Sequence, residues 1–152
     1  MHGSRVGDVI HLDFETRSAV DLPQCGEYRY CSDTRTYVYC MAWAVDEAPV
    51  ALWLPGDPIP PEIVEHADAG GMFDAWFARF ERLIWLYVMT RRYGAPMIDR
   101  QQFQCTAARA RAHGLPGKLA DCARALDLAK QKQEEGARLI REYSAQNVPW
   151  DA

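Results

Sequence analysis

"VIHLDFETRSAVDL", residues 9–22, alternates apolar and polar side chains in its first half and then changes to turn-forming residues. An alternation with a period of two predicts a strand over residues 8–15 with one buried face. Asp13 and Glu15 then share the opposite face, about 7 Å apart at a rise of about 3.3 Å per residue. Two carboxylates so close together favour a positive counter-charge.

The composition predicts one soluble domain covering residues 1–152. The chain is 49% hydrophobic and 25% charged, as is usual for a globular protein with a single core. Its longest apolar run, residues 83–89, is far shorter than the roughly 20 residues needed to span a bilayer, and no signal peptide is visible. We therefore expect a cytoplasmic protein with no membrane partner. The five cysteines lack zinc-site spacing and are expected to be reduced and mostly buried.

Charge is distributed unevenly along the chain. Residues 1–76 carry 4 basic and 13 acidic side chains, whereas residues 77–141 carry 13 basic and 6 acidic ones. A basic second half beside an acidic first half suits a protein that binds a phosphate backbone and keeps a carboxylate cluster for another purpose. Arginines that merely solvate helix faces would give the same distribution.

Strands are predicted first and helices afterwards. Three strands, expected to form an antiparallel meander, are predicted over residues 8–15, 36–45 and 49–55. A short helix starting at Pro60 or Pro61 and ending at Gly70-Gly71 precedes a possible fourth strand over residues 72–77. A longer helix then runs from Ala78 to Gly94. Further helices are predicted near residues 103–113, 117–128 and 131–144. The pattern indicates an α/β fold with a mixed sheet.

The paired carboxylates suggest a metal site. Hard oxygen ligands suit Mg²⁺ or Mn²⁺, although two solvent-facing acids at the edge of a strand are also common. His11 shares their face and is interpreted as a packed, hydrogen-bonded residue. The sequence contains no phosphate-binding G-x-x-x-x-G-K motif and no G-x-S-x-G motif, which argues against a nucleoside triphosphatase and an acyl-transfer enzyme.

Several segments together resemble the 3′–5′ proofreading exonuclease domain of phage-type family A DNA polymerases. They are "LDFETRSAVDL" with Gly26 and Tyr28 or Tyr30 behind it, "CTAARARAHGLPGKLADCARALDL" at 105–128 and "GARLIREYS" at 136–144. The resemblance covers residues 8–145. It implies a ribonuclease-H-like fold and membership of the DEDD class of exonucleases.

The resemblance also implies roles for individual residues. Asp13 and Glu15 match the first motif, whose carboxylates hold two ions of Mg²⁺ or Mn²⁺. The second motif matches "AWFARFE" at 75–81, so Glu81 falls on the third carboxylate and Phe77 stands where the family has Asn. The implied reaction is phosphodiester hydrolysis by two metal ions.

The implied substrate is the 3′ end of single-stranded DNA. Aromatic side chains commonly stack on such an end, and arginines commonly contact its backbone. The candidate substrate-binding residues are Phe14, Thr16, Phe77 and Arg79, with Trp76 as an alternative stacking residue. Aromatic residues near the end of a strand also often belong to the core.

The third motif of the family is a Tyr followed four residues later by an Asp. The candidate here is Tyr143 with Asn147, which lacks the carboxylate. We therefore expect an incomplete exonuclease domain with a weakened second metal position, which a polymerase domain or a separate polypeptide would complete. The sequence leaves open a fragment, a split gene and a prophage remnant. It also leaves open a catalytically inactive DNA-binding module and a related nuclease acting on RNA.

Overall fold

The computed structural model describes residues 8–130, 138–139 and 142–143. Within them, five strands form one mixed sheet in the order β3-β2-β1-β4-β5. The strands are β1 (Val9–Arg17), β2 (Tyr37–Val45), β3 (Ala51–Trp53), β4 (Met72–Ala75) and β5 (Phe103–Cys105). The helices are α1 (Leu22–Ser32), α2 (Pro61–Asp68), α3 (Ala78–Ile84), α4 (Thr90–Tyr93), α5 (Thr106–Ala112) and α6 (Leu119–Ala125). A π-helical turn, Trp85–Met89, joins α3 to α4, and a 3₁₀ turn, Arg100–Gln102, precedes β5.

The sheet confirms the α/β fold class and is compatible with a ribonuclease-H-like fold. β1 pairs antiparallel with β2, and β2 pairs antiparallel with β3, as the predicted meander requires. On its other side β1 pairs in parallel with β4, and β4 pairs in parallel with β5. β1 is therefore the central strand. The carboxyl ends of β4 and β5 lie side by side, and β4 ends next to the middle of β1, just beyond His11.

Strand β1 has the predicted alternation. Ile10, Leu12 and Phe14 are buried on one face, and Asp13 and Glu15 are exposed on the other. The burial of the apolar face stabilises the strand, so the carboxylates are held outward by the packing of their neighbours.

Two predicted elements differ from the structure near the edges of the sheet. The strand predicted over 49–55 is limited to β3, residues 51–53. The helix predicted over 103–113 begins only at Thr106, because Phe103–Cys105 is extended and pairs with β4. Pairing between distant segments overrides the local pattern there. Most of the helix predicted over 131–144 lies outside the described residues. The four described residues in this range, 138–139 and 142–143, are helical.

Helix α1 was not predicted. The side chain of Asp21 caps its start by accepting a hydrogen bond from the backbone N–H of Gln24 at 3.0 Å. Gly26, at φ 76° and ψ 165°, interrupts the helix with a backbone conformation that side chains rarely allow. The kink explains why the segment lacks the regular apolar spacing by which helices are recognised.

The helical segment from Ala78 to Tyr93 covers the core face of the sheet. It ends at Gly94, whose φ of 66° is the left-handed cap that the sequence predicts. The π-helical turn widens the buried stripe, so that Trp85 and Met89 join Ile84 and Val88 in the interior. The Trp85 indole N–H donates to the carbonyl of Pro96 at 2.8 Å, which satisfies its polar atom inside the core.

Two expectations drawn from composition can be compared with the structure. All five cysteines are free thiols, but only Cys31 and Cys122 are buried, whereas the other three are half-buried. Among the described residues, no helix is both long enough and apolar enough to cross a membrane.

Candidate active site

The candidate site lies where β4 ends and the second half of β1 continues beyond it. Asp13 and Glu15 are on the exposed face of β1 near this end. Helix α3 starts three residues after β4, which brings Glu81 in its first turn back towards β1. The backbone N–H of Phe14 is close enough to the Glu81 carboxylate to favour its charged form and to lower its pKa in part. Residues from distant parts of the sequence therefore meet at one place.

Glu81 is a buried acid in an unfavourable environment. Only 6% of the residue is exposed. Burial is the main reason that its pKa rises from an ordinary value of 4.5 to about 8, and the charges of Asp13, Glu15 and Glu27 raise it further. Its Oε2 atom is buried with no hydrogen-bond partner. A positive counter-charge beside this oxygen would relieve both the repulsion and the unmet hydrogen-bonding capacity.

The carboxylates of Asp13, Glu15 and Glu81 interact electrostatically, but they are not already arranged as the ligands of a metal ion. Within the described part of the chain, no three His, Cys, Asp or Glu side chains are arranged to hold a metal ion. The donor set still suits a hard divalent cation, because it consists of carboxylate oxygens and includes one buried oxygen without a partner. The assignment of Mg²⁺ or Mn²⁺ to Asp13, Glu15 and Glu81 stays a prediction.

Two of the predicted substrate-binding side chains lie on the core face of β1. Phe14 is 6% exposed and packs against Trp85, with 6.3 Å between the ring centroids. Thr16 is buried, and its hydroxyl is 3.1 Å from the hydroxyl of Tyr30. The structure gives both side chains a packing role, on the face opposite Asp13 and Glu15.

The other two predicted substrate-binding side chains face solvent. Phe77, the residue before α3, is 46% exposed. Arg79 is also exposed, and its Nε lies 3.2 Å from Oε2 of Glu27. This contact is an ion pair without hydrogen-bond geometry, since the same oxygen has no hydrogen-bond partner. Both side chains are therefore accessible to solvent, and their contact with a substrate stays a prediction.

Sequence reasoning missed Glu27 and a polar cluster around Asp74. Asp74 on β4 is 5% exposed, and its Oδ2 accepts from the Thr106 hydroxyl at 2.5 Å and lies 3.2 Å from His11 Nδ1. The expectation that His11 is hydrogen-bonded is thus confirmed, whereas the expectation that it is packed is wrong, because 49% of its side chain is exposed. The parallel pairings of His11 with Asp74 and of Asp74 with Gln104 bring this cluster together, and the sequence gives no local signal for either pairing.

These features define the class: an α/β domain with an acidic site on the central strand of a mixed sheet. The chain is 33% identical, over 146 residues, to a DNA polymerase of Bacillus phage SP02. The match covers 94% of this chain but only 22% of that protein. No protein-family model matches the chain. The similarity supports a relationship between this domain and DNA polymerases.

Proposed function

We propose that this domain is a metal-dependent 3′–5′ exonuclease of the proofreading type, which hydrolyses phosphodiester bonds at the 3′ end of single-stranded DNA. The observation that carries the proposal is the buried Glu81 carboxylate, which has an unpartnered oxygen and lies beside Asp13 and Glu15. The similarity to a phage DNA polymerase and the resemblance of the sequence motifs to proofreading domains support the same reading.

The carboxylates would act by binding a divalent cation at a fixed position. Asp13 and Glu15 face solvent and can take oxygen positions around a cation, while Glu81 contributes from the inner side. When bound, Mg²⁺ or Mn²⁺ would activate the attacking water and offset the charge that develops on the scissile phosphate. The backbone N–H of Phe14 also favours the charged form of Glu81, which binding of a cation requires.

A polymerase is the proposed partner of this domain. The chain spans about a fifth of the phage DNA polymerase that it matches. A proofreading site acts on a strand that a polymerase has extended, so a polymerase domain or a separate polypeptide would deliver the 3′ end. The same partner could supply further groups to the site.

A non-catalytic DNA-binding module is the second candidate function. It is favoured by the finding that no three metal-ligating side chains are arranged around a cation position among the described residues. In that case the basic second half of the chain would bind the strand, and the carboxylates would have no chemical role.

A nuclease assay distinguishes the two candidates. Single-stranded DNA labelled at its 5′ end should be shortened from the 3′ end in the presence of Mn²⁺. The Asp13→Asn variant should be slower by about a hundredfold or more, because a group that organises charge in the transition state is lost. Glu62→Gln, an exposed acid on α2, is the matched control and should keep full activity.

Two outcomes would contradict the proposal. Degradation that is unaffected by Asp13→Asn would remove the site assignment. Binding of the strand without any shortening would favour the DNA-binding module instead.

A further inference from the structure

We propose that His11 is a further ligand of the proposed metal site, and that its nitrogen makes the site prefer divalent transition-metal ions to Mg²⁺. Asp74 and Thr106 are positioning residues, which hold the imidazole from behind. The inference rests on the proposed function, because the cation at Asp13 is part of that proposal. It adds one nitrogen to a donor set of carboxylate oxygens.

The His11 imidazole is held on one side and open to solvent on the other. Half of the side chain, 49%, is exposed, and its Nδ1 lies 3.2 Å from Oδ2 of Asp74. An ionised carboxylate can only accept, so Nδ1 carries the proton and the neutral ring keeps a lone pair on Nε2. Of the two ring nitrogens, Nδ1 is the one with a hydrogen bond among the described residues. The ring therefore offers Nε2 to a ligand.

Asp74 is the buried acid that fixes this ring. Its side chain is 7% exposed, and Oδ2 also accepts a hydrogen bond from the Thr106 hydroxyl at 2.5 Å. The other oxygen, Oδ1, is buried with no hydrogen-bond partner. Over the described part of the chain, no lysine or arginine forms an ion pair with Asp74. A cation bound through the imidazole would place positive charge beside this carboxylate.

A carboxylate behind a histidine is an arrangement that supports metal binding. A histidine that binds a metal through one ring nitrogen almost always donates the N–H of the other to a carboxylate, a backbone carbonyl or water. The acceptor fixes the ring and raises the basicity of the ligating nitrogen. Asp74 lies on β4 and Thr106 starts α5, so both groups behind His11 belong to regular elements. His66, by contrast, is 2% exposed and is closed to a cation from solvent.

His11 adjoins the oxygen ligands. It precedes Asp13 by two residues on β1, and both side chains lie on the exposed face of the strand. Side chains at this spacing are neighbours, about 7 Å apart along the strand. An ion bound by Asp13 therefore has His11 as its neighbouring donor on one side and Glu15 on the other. Since no three such groups of the described residues already surround a cation position, side chains must rotate on binding and water must complete the coordination.

A nitrogen ligand changes which ions the site prefers. Mg²⁺ is bound by oxygen ligands and gives up its own waters reluctantly. Divalent transition-metal ions accept imidazole, and the affinity of mixed nitrogen and oxygen sites rises from Mn²⁺ to Co²⁺. We therefore expect Co²⁺ to bind more tightly than Mn²⁺, and Mn²⁺ more tightly than Mg²⁺. The contribution of His11 is the part of this difference that is lost when its nitrogen is removed.

Pulsed electron paramagnetic resonance of bound Mn²⁺ tests the nitrogen directly, without DNA or hydrolysis. The untagged protein, with Mn²⁺ below equimolar, should show the spin-echo modulation that a coordinated nitrogen nucleus produces. His11→Asn, whose amide can still donate to Asp74, should abolish this modulation. His113→Asn removes an exposed histidine at the end of α5 and is the matched control, which should keep it.

Titration calorimetry with Co²⁺ and with Mg²⁺ tests the selectivity. His11→Asn should lower the affinity for Co²⁺ by about tenfold or more, and the affinity for Mg²⁺ by much less. Asp74→Asn keeps the size of the buried side chain and removes its charge. It should lower the affinity for Co²⁺ by about tenfold while the nitrogen modulation remains, as expected for a positioning residue.

Absence of the nitrogen modulation in the unmodified protein would overturn the inference, as would its persistence in His11→Asn. An equal loss of affinity for Co²⁺ and Mg²⁺ in that variant would overturn the selectivity. The proposed function is judged separately, because Mn²⁺-dependent shortening of DNA that requires Asp13 could stand without a nitrogen signal. Conversely, a nitrogen signal without shortening would leave His11 as a metal ligand in a domain that does not hydrolyse DNA.

Discussion

Glu81 is the residue at which the structure and the proposed chemistry make opposite demands. Folding buries its carboxylate beside Asp13 and Glu15, and the charged form is then disfavoured. Cation binding needs the charged form. In the apoprotein, a buried acid of this kind lowers the free energy of unfolding at neutral and alkaline pH, and this loss can be measured.

The sign of the effect on stability follows from the direction of the pKa shift. The folded-state pKa of Glu81, about 8, lies above its ordinary value of 4.5, so the folded protein holds the proton more tightly than the unfolded chain. Below pH 4.5 the carboxyl is protonated in both states and does not lower the free energy of unfolding. As the pH rises from 4.5 through 8, the free energy of unfolding falls, because the unfolded chain loses this proton more readily.

Glu81→Gln should therefore be more stable than the unmodified protein at alkaline pH. The amide cannot ionise, so neither its burial nor the charges of Asp13 and Glu15 disfavour it as they disfavour the carboxylate. We expect a gain of about 2 kcal/mol or more in the free energy of unfolding at about pH 8, and a much smaller difference at about pH 5. Urea denaturation in EDTA measures both, with Glu62→Gln as control. A parallel pH dependence in the two proteins would show that Glu81 is not the buried acid described.

At the scale of single elements, α1 connects local sequence to the site. It carries Glu27, which pairs with Arg79 and adds to the negative potential at Glu81. Its start depends on the Asp21 cap, and its middle is broken at Gly26. The position of Glu27 is therefore set by a cap and a kink rather than by a long regular helix.

Removing the cap of α1 should destabilise the protein measurably. Asp21→Ala leaves the Gln24 N–H without its side-chain acceptor, at a cost of about 1 kcal/mol in the free energy of unfolding. Asp21→Asn keeps an acceptor and should cost much less. Thermal unfolding of the three proteins checks this order. Equal melting temperatures for the alanine and asparagine variants would contradict it.

The elements predicted from sequence are those whose local pattern agrees with their tertiary environment. β1 alternates cleanly, and the helix after Ala78 has a regular apolar stripe and a glycine cap. α1 and β5 were missed because a kink hides one and long-range pairing with β4 creates the other. A capping Asp21 followed by Pro23 was the available signal for α1.

The site was predictable only in part, for a related reason. Asp13 and Glu15 follow from strand alternation, since both lie on one strand. The candidacy of Glu81 came from a resemblance in motif and not from its spacing in the sequence. Glu27 has no local signature, because folding alone brings it towards Glu81.

At the scale of the whole molecule, a bound cation should stabilise the fold. Mn²⁺ at the carboxylates would bind the folded chain and not the unfolded one, and a concentration of 100 times Kd corresponds to about 2.7 kcal/mol. The melting temperature should rise by several degrees, and more at about pH 8 than at about pH 6, because fewer protons then compete with the cation.

The Asp13→Asn variant should lose most of that rise, and sodium chloride at equal ionic strength should not reproduce it in the unmodified protein. A shift of the same size in both proteins would mean that Mn²⁺ acts elsewhere on the surface. The nuclease assay is independent of this measurement, so that stabilisation without hydrolysis would still locate a cation.

The alternation along β1 also bears on how a gene for this domain can change over time. Because successive side chains point to opposite faces, loss of one codon upstream, such as that for His11, would shift the pairing by one residue. Leu12 and Phe14 would then turn outward, and Asp13 and Glu15 would turn into the apolar interior. A point substitution in this strand alters one side chain. A single-codon insertion or deletion turns every following side chain of the strand to the opposite face. We expect natural variants of this segment to differ by substitution and to keep its length.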